Sequence, residues 1–402
     1  MEILKGIRVI DLTQFIAGSR CTQILADMGA DVVKVEPPEG DTLRLIFKLL
    51  PGAERNYSVF NRNKFGMAVD WKNPKGQDIV RKLAAGADVF VNNLIPGTLE
   101  KYRLGYDDIN RANGSIIYLS ISGFGSTGTN PERAAFDIIA QATSGQFWND
   151  MDNLRPPSNY WGDMMSGAYG AIAILLALIH RMNTSKGQFI DLSMQDVGYF
   201  NNYRALMNKA MEPIMEEVVR TLGRKPDDVL NSADRMPFYG FFKSKNGKVA
   251  IVAITRRQWQ DLAHVVECPA LLADPGFSNL IAQIHNHERA VALIEAWTSH
   301  HTSEEIVTLL EGKKIPCGIA YDADGVNNDD NLRMRGMYAT VAHETLGTIN
   351  VPGIPYKFSG TPGRMERAAP GLGEDNRHIL DTWLEYSSDE IEMLEKEGVI
   401  SS

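Results

Sequence analysis

The sequence predicts an α/β fold whose core is a doubly wound parallel sheet. Residues 7–12 have the apolar character of a strand, residues 18–29 carry apolar side chains at helical spacing, and residues 30–36 form a second strand. A strand, a helix and a strand in succession make a parallel βαβ unit, and repetition of this unit builds an open sheet covered by helices.

The same alternation continues as far as residue 200. A helix is predicted from Asn73 to about Ala85, and another is predicted to begin near Ser193. Further strands are predicted over residues 67–70, 88–92, 116–121 and 187–192. Ligands bind at the carboxyl ends of the strands in such sheets. We therefore expect the functional site at that edge, in a first domain that includes residues 1–200.

A second, small α+β domain is predicted over residues 233–322. The preceding residues 201–232 lack strand alternation and end in a polar segment, which indicates a linker. Residues 239–243 and 248–253 flank Asn246-Gly247, a dipeptide whose residues accept positive φ in a tight hairpin turn. Helices are predicted over residues 257–266, 288–298 and 303–311.

Residues 323–402 are predicted to contain a short helix, a pair of strands and two terminal helices. The strands are placed at residues 339–343 and 347–351, and the terminal helices at residues 376–386 and 388–398.

Composition and charge argue against several classes of function. The chain has 402 residues, 44% hydrophobic and 23% charged, and a net charge of −9 does not suit a nucleic-acid-binding surface. Three cysteines without metal-ligand spacing fit a reducing compartment, and the N-terminus lacks the apolar core of a signal peptide, so we expect a cytoplasmic protein. The first strand is not followed by G-x-G-x-x-G, which weakens a nicotinamide-dependent function. We expect no metal site.

Asp163 is a lone carboxylate before a long apolar helix. Residues 164–179 carry no charge and include the small residues Ser166, Gly167 and Gly170. The run is short for a membrane span and is broken by glycines, so we expect a buried helix and no membrane association. An Asp at a helix N-terminus caps free N–H groups and lies at the positive end of the macrodipole, which is expected to keep it ionised. These residues leave open whether Asp163 is only a cap or also a nucleophile.

Eight short segments of the chain together resemble a known family. In order they are residues 6–12 (GIRVIDL), 28–36 (MGADVVKVE), 61–64 (NRNK), 87–93 (ADVFVNN), 122–125 (SGFG), 162–163 (GD), 186–191 (KGQFID) and 315–318 (IPCG). The set covers nearly the whole chain and resembles the class III CoA-transferases, also called the CaiB/BaiF or formyl-CoA/carnitine CoA-transferase family. The resemblance places Asp163 at the position of the family's catalytic aspartate.

The resemblance implies an interlocked homodimer. In that arrangement a large Rossmann-like, CoA-binding domain is built from both termini, here residues 1–200 and 323–402. The small domain at residues 233–322 lies between them in sequence, and the two chains thread through each other.

The resemblance also implies a reaction, the transfer of CoA from an acyl-CoA donor to a free carboxylic acid. An ionised Asp163 attacks the thioester without a general base, giving a mixed anhydride and CoA thiolate. The thiolate then returns to form an aspartyl-CoA thioester, which the second carboxylic acid opens. CoA and acyl-CoA are substrates in this scheme, and no covalently bound cofactor is needed.

Positions matching the family's CoA-contacting segments follow from the same resemblance. Asp137 matches a second acidic position near the active site, and its alternative role is that of a helix N-cap. The remaining positions are Phe15, Ile16, Arg44, Lys64, Met67, Ala68, Asn93, Leu94, Lys101 and Tyr102 or Arg103. Candidates for the wall of the acyl pocket are Phe147, Trp148, Tyr160 and Trp161.

Two alternative functions remain from the sequence. An acyl-CoA racemase of the same fold needs a second acid/base beside its Asp, but the matching position here is Phe136, which cannot exchange a proton. A CoA-binding protein without activity is the other alternative, and an intact Asp163 argues against it. The residues do not identify the donor or the acceptor.

Overall fold

Six parallel strands form the sheet that organises the larger part of the chain. The computed structural model describes residues 2–48, 53–147, 151, 154–155, 159–203, 205–207, 209–210, 239–343 and 346–401. The strands are β1 Arg8–Leu12, β2 Asp31–Glu36, β3 Phe65–Ala68, β4 Val89–Asn92, β5 Ile117–Ser122 and β6 Gln188–Ser193. Their order is β3-β2-β1-β4-β5-β6, with every pair parallel, which confirms the predicted α/β fold. The direction of winding reverses between β1 and β4, where such sheets bind their ligands.

The helices of this part of the chain cover both faces of the sheet. They are α1 Ala17–Asp27, α2 Thr42–Lys48, α3 Ala53–Asn61, α4 Pro74–Ala85, α5 Tyr106–Ala112, α6 Asp137–Thr143, α7 Trp161–Thr184 and α8 Met194–Asn201. Sequence periodicity did not predict α2, α3 or α5, because helices of seven to nine residues give too few turns for a clear pattern.

Alternate side chains of the strands enter two separate hydrophobic layers. Ile10 and Val33 face a layer that contains residues of α4 and α5. Their neighbours Val9 and Val32 face the opposite layer, which contains residues of α1, α7 and α8. Strands buried on both faces read as continuous apolar runs, which is why the sequence pattern identified them well.

Helix α7 packs closely against α1. A Cβ added at Gly167 would lie 2.7 Å from the carbonyl oxygen of Ala17, so only glycine allows this approach. Ile174 is completely buried on the same side, whereas Ile172 and Leu176 are exposed. The expected buried helix is therefore buried on one side only. By length and composition α7 could also cross a membrane.

A smaller unit comprises residues 206–330. Its strands β7 Tyr239–Ser244, β8 Gly247–Val252 and β9 Cys317–Ile319 form an antiparallel sheet in that order. Its helices are α9 Arg256–Val265, α10 Ala270–Ala273, α11 Leu280–His285, α12 His287–Thr298, α13 Ser303–Gly312 and α14 Ala323–Asn327. The predicted hairpin is present, but the reason given for it was wrong. Ser244 pairs with Gly247, so Lys245 and Asn246 form the turn, and Asn246 and Gly247 both lack positive φ.

The C-terminal residues return to the larger unit, which contains residues 1–205 and 331–402. They form α15 Asp330–Met334, the antiparallel pair β10 Tyr338–His343 and β11 Gly347–Pro352, and helices α16 Asn376–Leu384 and α17 Ser388–Lys396. Ile379 and Ile391 join the layer that also contains residues of α4. Val69, predicted to be a strand residue, instead forms an antiparallel bridge with Ile400. Most of the predicted linker, residues 211–232, lies outside the described residues.

Candidate active site

A cavity of about 670 Å³ opens at the carboxyl ends of β1, β4 and β5. Its lining residues come from the loops after these strands, from α2 and α3, and from the starts of α6 and α7. Aliphatic and aromatic side chains dominate, and the charged residues that line it are Asp137 and Asp163. The described walls are Gln14, Phe15, Ile16, Ala17, Leu43, Ile46, Asn56, Val59, Phe60, Asn93, Leu94, Ile95, Ile121, Ser122, Gly123, Ala134, Ala135, Phe136, Asp137, Tyr160, Asp163 and Met194.

Asp163 occupies the third position of α7 and is not its N-cap. The helix begins at Trp161 after Tyr160, which makes no side-chain capping bond. The backbone N–H of Asp163 donates to Oδ1 of Asp137 at 3.0 Å, and the N–H of Met164 donates to the carbonyl of Tyr160 at 2.8 Å. The expectation that Asp163 caps the helix was therefore wrong. These two N–H groups are also already engaged and do not face an open oxyanion site.

The pKa of the Asp163 carboxyl group is raised from 3.8 to about 7. Burial in the apolar cavity is the larger cause, and the negative charge of Asp137 is the second. The sequence predicted that the helix macrodipole would keep Asp163 ionised. Partial burial decides the outcome instead, because the macrodipole typically contributes only about 0.3–1 kcal/mol and one pKa unit corresponds to about 1.4 kcal/mol.

Asp137 connects the starts of α6 and α7. Phe136 is the N-cap of α6, so the alternative role of Asp137 as that cap is excluded. One Asp137 oxygen accepts the Asp163 N–H, and the other accepts a hydrogen bond from Nε2 of Gln141 at 2.6 Å. A Cβ added at Gly162 would lie 3.0 Å from Oδ1 of Asp137, so glycine at this position gives the carboxylate its space. Asp137 is thus placed to orient the backbone that carries Asp163.

Several of the residues expected to contact CoA lie on the wall of this cavity. Phe15 and Ile16 follow β1, and Asn93 and Leu94 follow β4, so the switch point of the sheet brings both pairs to one place. Asp137 joins them on the same wall. Their contact with CoA stays a prediction. Of the acyl-pocket candidates, Tyr160 lines the cavity, whereas Trp148 lies outside the described residues.

Lys64 and Met67 were expected to contact CoA, but their side chains are completely buried. The Lys64 ammonium group donates to Oδ2 of Asp11 at 2.8 Å and to Oδ1 of Asn61 at 2.8 Å. Met67 belongs to the hydrophobic layer on one face of the sheet. Neither side chain has exposed surface that a ligand could contact.

Arg44 was expected to contact CoA, but the structure gives its guanidinium group other partners. It forms two 2.7 Å hydrogen bonds with Glu36 and a third with the carbonyl of Pro370. Lys101 and Tyr102 lie on a 3₁₀ turn outside the cavity, where Lys101 is exposed. Their contact with CoA stays a prediction.

A group of buried charged residues, not predicted from the sequence, lies beneath the loop that follows β1. The Lys34 ammonium group lies 3.9 Å from Asp11 and 3.2 Å from Asp41, and all three side chains are fully buried. Burial opposes ionisation of Asp11, but Lys34 and Lys64 outweigh it and hold its pKa well below the usual value. A signal did exist, because Asp11 and Lys34 interrupt otherwise apolar strands that are covered on both faces.

Comparisons with known proteins agree with this geometry. The model of the family described as CoA-transferase family III matches residues 4–376. The chain is 32% identical to succinyl-CoA:glutarate CoA-transferase of Mus musculus, covering 100% of this chain and 91% of that protein. It is 30% identical to formyl-CoA:oxalate CoA-transferase of Streptomyces coelicolor, covering 99% of both.

A solved structure of a CAIB/BAIF family protein from Brucella suis is also similar. Its TM-score is 0.79 at 28% identity, covering 95% of this chain and 99% of that one. The match extends over both units and therefore does not depend on the common parallel sheet alone. The chain belongs to CoA-transferase family III and is an acyl-CoA:carboxylate CoA-transferase, an enzyme whose substrates include CoA thioesters and which uses no separate cofactor.

Proposed function

We propose that Asp163 is the nucleophile that carries the acyl group and then CoA during transfer. Its carboxylate oxygen attacks the thioester carbonyl, the C–S bond breaks, and a mixed anhydride and CoA thiolate form. The thiolate attacks the Asp163 carbonyl of the anhydride, releases the first carboxylic acid and leaves an aspartyl-CoA thioester. The acceptor carboxylate opens this thioester to a second anhydride, and the returning thiolate attacks its acyl carbonyl. This last step gives the new acyl-CoA and restores Asp163.

The position of the Asp163 carboxyl group on the cavity wall is the observation that carries this proposal. Among the described residues it lies beside another carboxylate and has no cation as partner, so its charge is available for reaction. With a pKa of about 7 it is partly ionised at neutral pH and mostly ionised above pH 8. The apolar walls limit the water that would hydrolyse an anhydride.

Chemical trapping tests the nucleophile directly. The enzyme is incubated with an acyl-CoA and hydroxylamine, digested, and analysed by mass spectrometry. The peptide containing Asp163 should gain a hydroxamate only when acyl-CoA is present. The matched control is Asp163→Asn, which keeps the size and removes the nucleophile, and an unmodified wild-type peptide under turnover would exclude the proposal.

We also propose succinyl-CoA as the first donor to test, because a relative that is similar over the whole chain is named for that thioester. A screen pairs succinyl-CoA and uncharged short-chain acyl-CoA donors with glutarate and other carboxylic acids, and liquid chromatography detects the new thioesters. Exchange of the α-proton in deuterated water without an added acceptor would indicate racemisation. Phe136 makes that result unexpected, since it supplies no proton.

The active form, we propose, is an interlocked homodimer. Helices α7 and α8 expose large apolar side chains that a second copy of the chain would cover: Ile172, Leu176, Ile179, Met182, Tyr199 and Phe200. A cluster of large apolar side chains like this one seldom remains exposed to water. A lipid bilayer is the less suitable partner, because the other side of α7 belongs to the core around the sheet.

Light scattering and subunit exchange test the dimer. The mass in solution should be twice 44.6 kDa. Tagged and untagged chains should not exchange without denaturant if the chains are threaded through each other. A monomer would exclude the dimer, and rapid exchange would exclude the threading.

We propose a cytoplasmic location, for which fractionation of cells that produce the protein is the test.

A further inference from the structure

The residue that follows β1 has both of its backbone polar groups bound by buried charged side chains. The N–H of Thr13 donates to Oδ1 of Asp11 at 3.1 Å. Its carbonyl accepts a hydrogen bond from Nζ of Lys34 at 2.6 Å, and Lys34 also donates to Oγ of Ser19 at 3.1 Å. The loop therefore leaves the sheet in a direction fixed by the buried charges.

The next two residues are bound from two further segments of the chain. Gln14 exchanges a pair of hydrogen bonds with the side chain of Asn93, at 2.8 and 2.6 Å. The N–H of Phe15 donates to Oδ1 of Asp41 at 3.2 Å. Asp41 is in turn 3.2 Å from the ammonium group of Lys34. The backbone groups of three consecutive residues are thus held by hydrogen bonds to side chains.

These contacts hold Phe15 in an uncommon conformation. Its φ is +58°, in the left-handed region that a bulky aromatic residue rarely adopts. Strain of this kind persists only where the surroundings impose it, and it concentrates at functional sites. The bonds from Asp41 and Asn93 supply that constraint.

The conformation of Phe15 determines what its ring contacts. The ring packs edge-on against Phe136, with centroids 5.2 Å apart and planes at 79°. Both rings line the cavity that contains Asp163. Phe136 is nevertheless 61% exposed, so most of its ring is free to cover a bound acyl group.

We propose that Lys34 and Asp41 are positioning residues for the transfer reaction: they hold Phe15 so that the Phe15–Phe136 ring pair shields the acyl group on Asp163 from water. The inference rests on Asp163 being the nucleophile. Lys34 and Asp41 themselves do not line the cavity, so they act through the loop.

The reaction that the ring pair suppresses is hydrolysis of the anhydride. A water oxygen attacks the acyl carbonyl, the bond from that carbon to the Asp163 oxygen breaks, and the carboxylic acid leaves. A proton from the water passes to the CoA thiolate. The net change is acyl-CoA and water to carboxylic acid and free CoA, so each hydrolysis consumes a thioester without a transfer.

Ring-deletion variants provide the first test. Phe15→Gly removes the ring while accepting the positive φ, and Phe136→Ala removes a ring that is mostly exposed, so both variants should fold. The measured quantity is the ratio of acyl-CoA hydrolysis, followed by thiol release, to transfer, followed by chromatography, with a donor and acceptor found in the screen. We expect the ratio to rise about tenfold in each variant, and Phe15→Leu to give a smaller rise. The double variant should show little more than either single one.

The matched control is Phe358→Ala. Phe358 forms a similar edge-on ring pair with Tyr356, at 5.8 Å and 61°, but neither residue lines the cavity. Its ratio should equal that of the wild type. A wild-type ratio in both Phe15→Gly and Phe136→Ala would overturn the proposal.

Variants of the buried pair test the positioning role. Asp41→Asn keeps the acceptor for the Phe15 N–H but removes the charge beside Lys34, and Lys34→Met removes the donor to Thr13. Each variant should raise the hydrolysis-to-transfer ratio while changing KM for the donor less than threefold, and neither should raise it further in the Phe15→Gly background. Circular dichroism identifies a variant that fails to fold. If one of the two fails, the ratio measured for the other variant tests the positioning role.

An unchanged ratio in the folded variants would overturn the role of Lys34 and Asp41. So would an effect that adds fully to that of Phe15→Gly. The trapping experiment on the wild-type enzyme reports on the nucleophile separately. An untrapped Asp163 excludes the mechanism, whereas a trapped Asp163 with unchanged ratios excludes only the shielding.

Discussion

Two groups of carboxylates near the same edge of the sheet differ in what balances their charge. Asp11 lies between the ammonium groups of Lys34 and Lys64 and has a strongly lowered pKa. Asp163 lies beside Asp137 in an apolar cavity and has a pKa raised to about 7. Burial alone raises the pKa of both carboxyl groups, and the neighbouring charges decide the difference.

The difference separates a carboxylate whose charge is balanced by buried cations from one whose charge is not balanced. The Asp11 carboxylate also accepts hydrogen bonds from Thr13 and Thr22, so it has little remaining tendency to bind or attack another group. The Asp163 carboxylate has no such donors among the described residues. Its ionised form is less stable in the protein than in water, as the raised pKa shows. An uncompensated charge beside a cavity is typical of residues that react.

The largest effect is expected from Asp163→Asn, which removes the carboxylate that we propose as the nucleophile. We expect kcat/KM for CoA transfer to fall by more than about 10³-fold, as when other covalent nucleophiles are removed. The thermal unfolding midpoint should stay the same or rise, because an unbalanced charge is lost. Chromatographic rate measurements and circular dichroism check both parts, and a rate within tenfold of the wild type would contradict the prediction.

The structural group is tested by Lys64→Met, which leaves Asp11 with one cation fewer. Breaking a buried ion pair typically costs about 3–5 kcal/mol, so the urea midpoint of unfolding should fall strongly. The matched control is Lys75→Met. The pair between Lys75 and Glu397 is exposed, and losing it should cost about 1 kcal/mol or less. Equal losses of unfolding free energy in the two variants would contradict a special structural role for the buried pair of Lys64 and Asp11.

Two glycines of α7 sharpen the comparison between stability and reactivity. Gly167→Ala should destabilise the protein by about 1–3 kcal/mol, because its Cβ would meet the backbone of α1. Gly162→Ala should mainly reduce the transfer rate, because its Cβ would displace the Asp137 carboxylate. Gly114→Ala is the control, since nothing lies within 4 Å of its added Cβ. Chemical unfolding and rate measurements on the three variants should separate these effects.

This contrast also corrects one expectation from the sequence. From the sequence alone, the small residues after Asp163 suggest a backbone that approaches the thioester closely, so that larger side chains would harm activity before folding. Gly167 and Gly170 instead face α1 and β5. Their replacement should therefore affect folding first.

The smallest effect is expected in the pH dependence of transfer. Attack needs the ionised form, so kcat/KM should fall as the pH decreases through about 7, the pKa of Asp163 in the free enzyme. Asp137→Asn removes a nearby negative charge, which favours ionised Asp163. The acidic limb of the pH profile, where kcat/KM falls, should therefore move to lower pH. The limb should remain above pH 3.8, because burial is the larger cause of the shift. The measurement is kcat/KM against pH with an acyl-CoA whose acyl group does not titrate in this range. A shift of the acidic limb to higher pH in Asp137→Asn would contradict the prediction.

Local patterns were sufficient to predict the parallel sheet, and a cavity lies at its carboxyl edge. The strands at residues 7–12, 30–36 and 88–92 are mainly apolar, because helices cover the sheet on both faces. Short helices such as α2 and α3 were missed, since tertiary packing stabilises them more than their own sequence does.

The sequence by itself therefore determined the α/β fold and the family, since both depend on residue order and composition. Only the tertiary structure decided that Asp163 is not the N-cap of α7 and has a raised pKa, that Lys64 is buried against Asp11, and that Phe15 is held at positive φ. The reason is physical. Burial and charge pairing depend on groups far apart in the chain, such as Asp11 and Lys64, and no local pattern reports which of them the fold brings together.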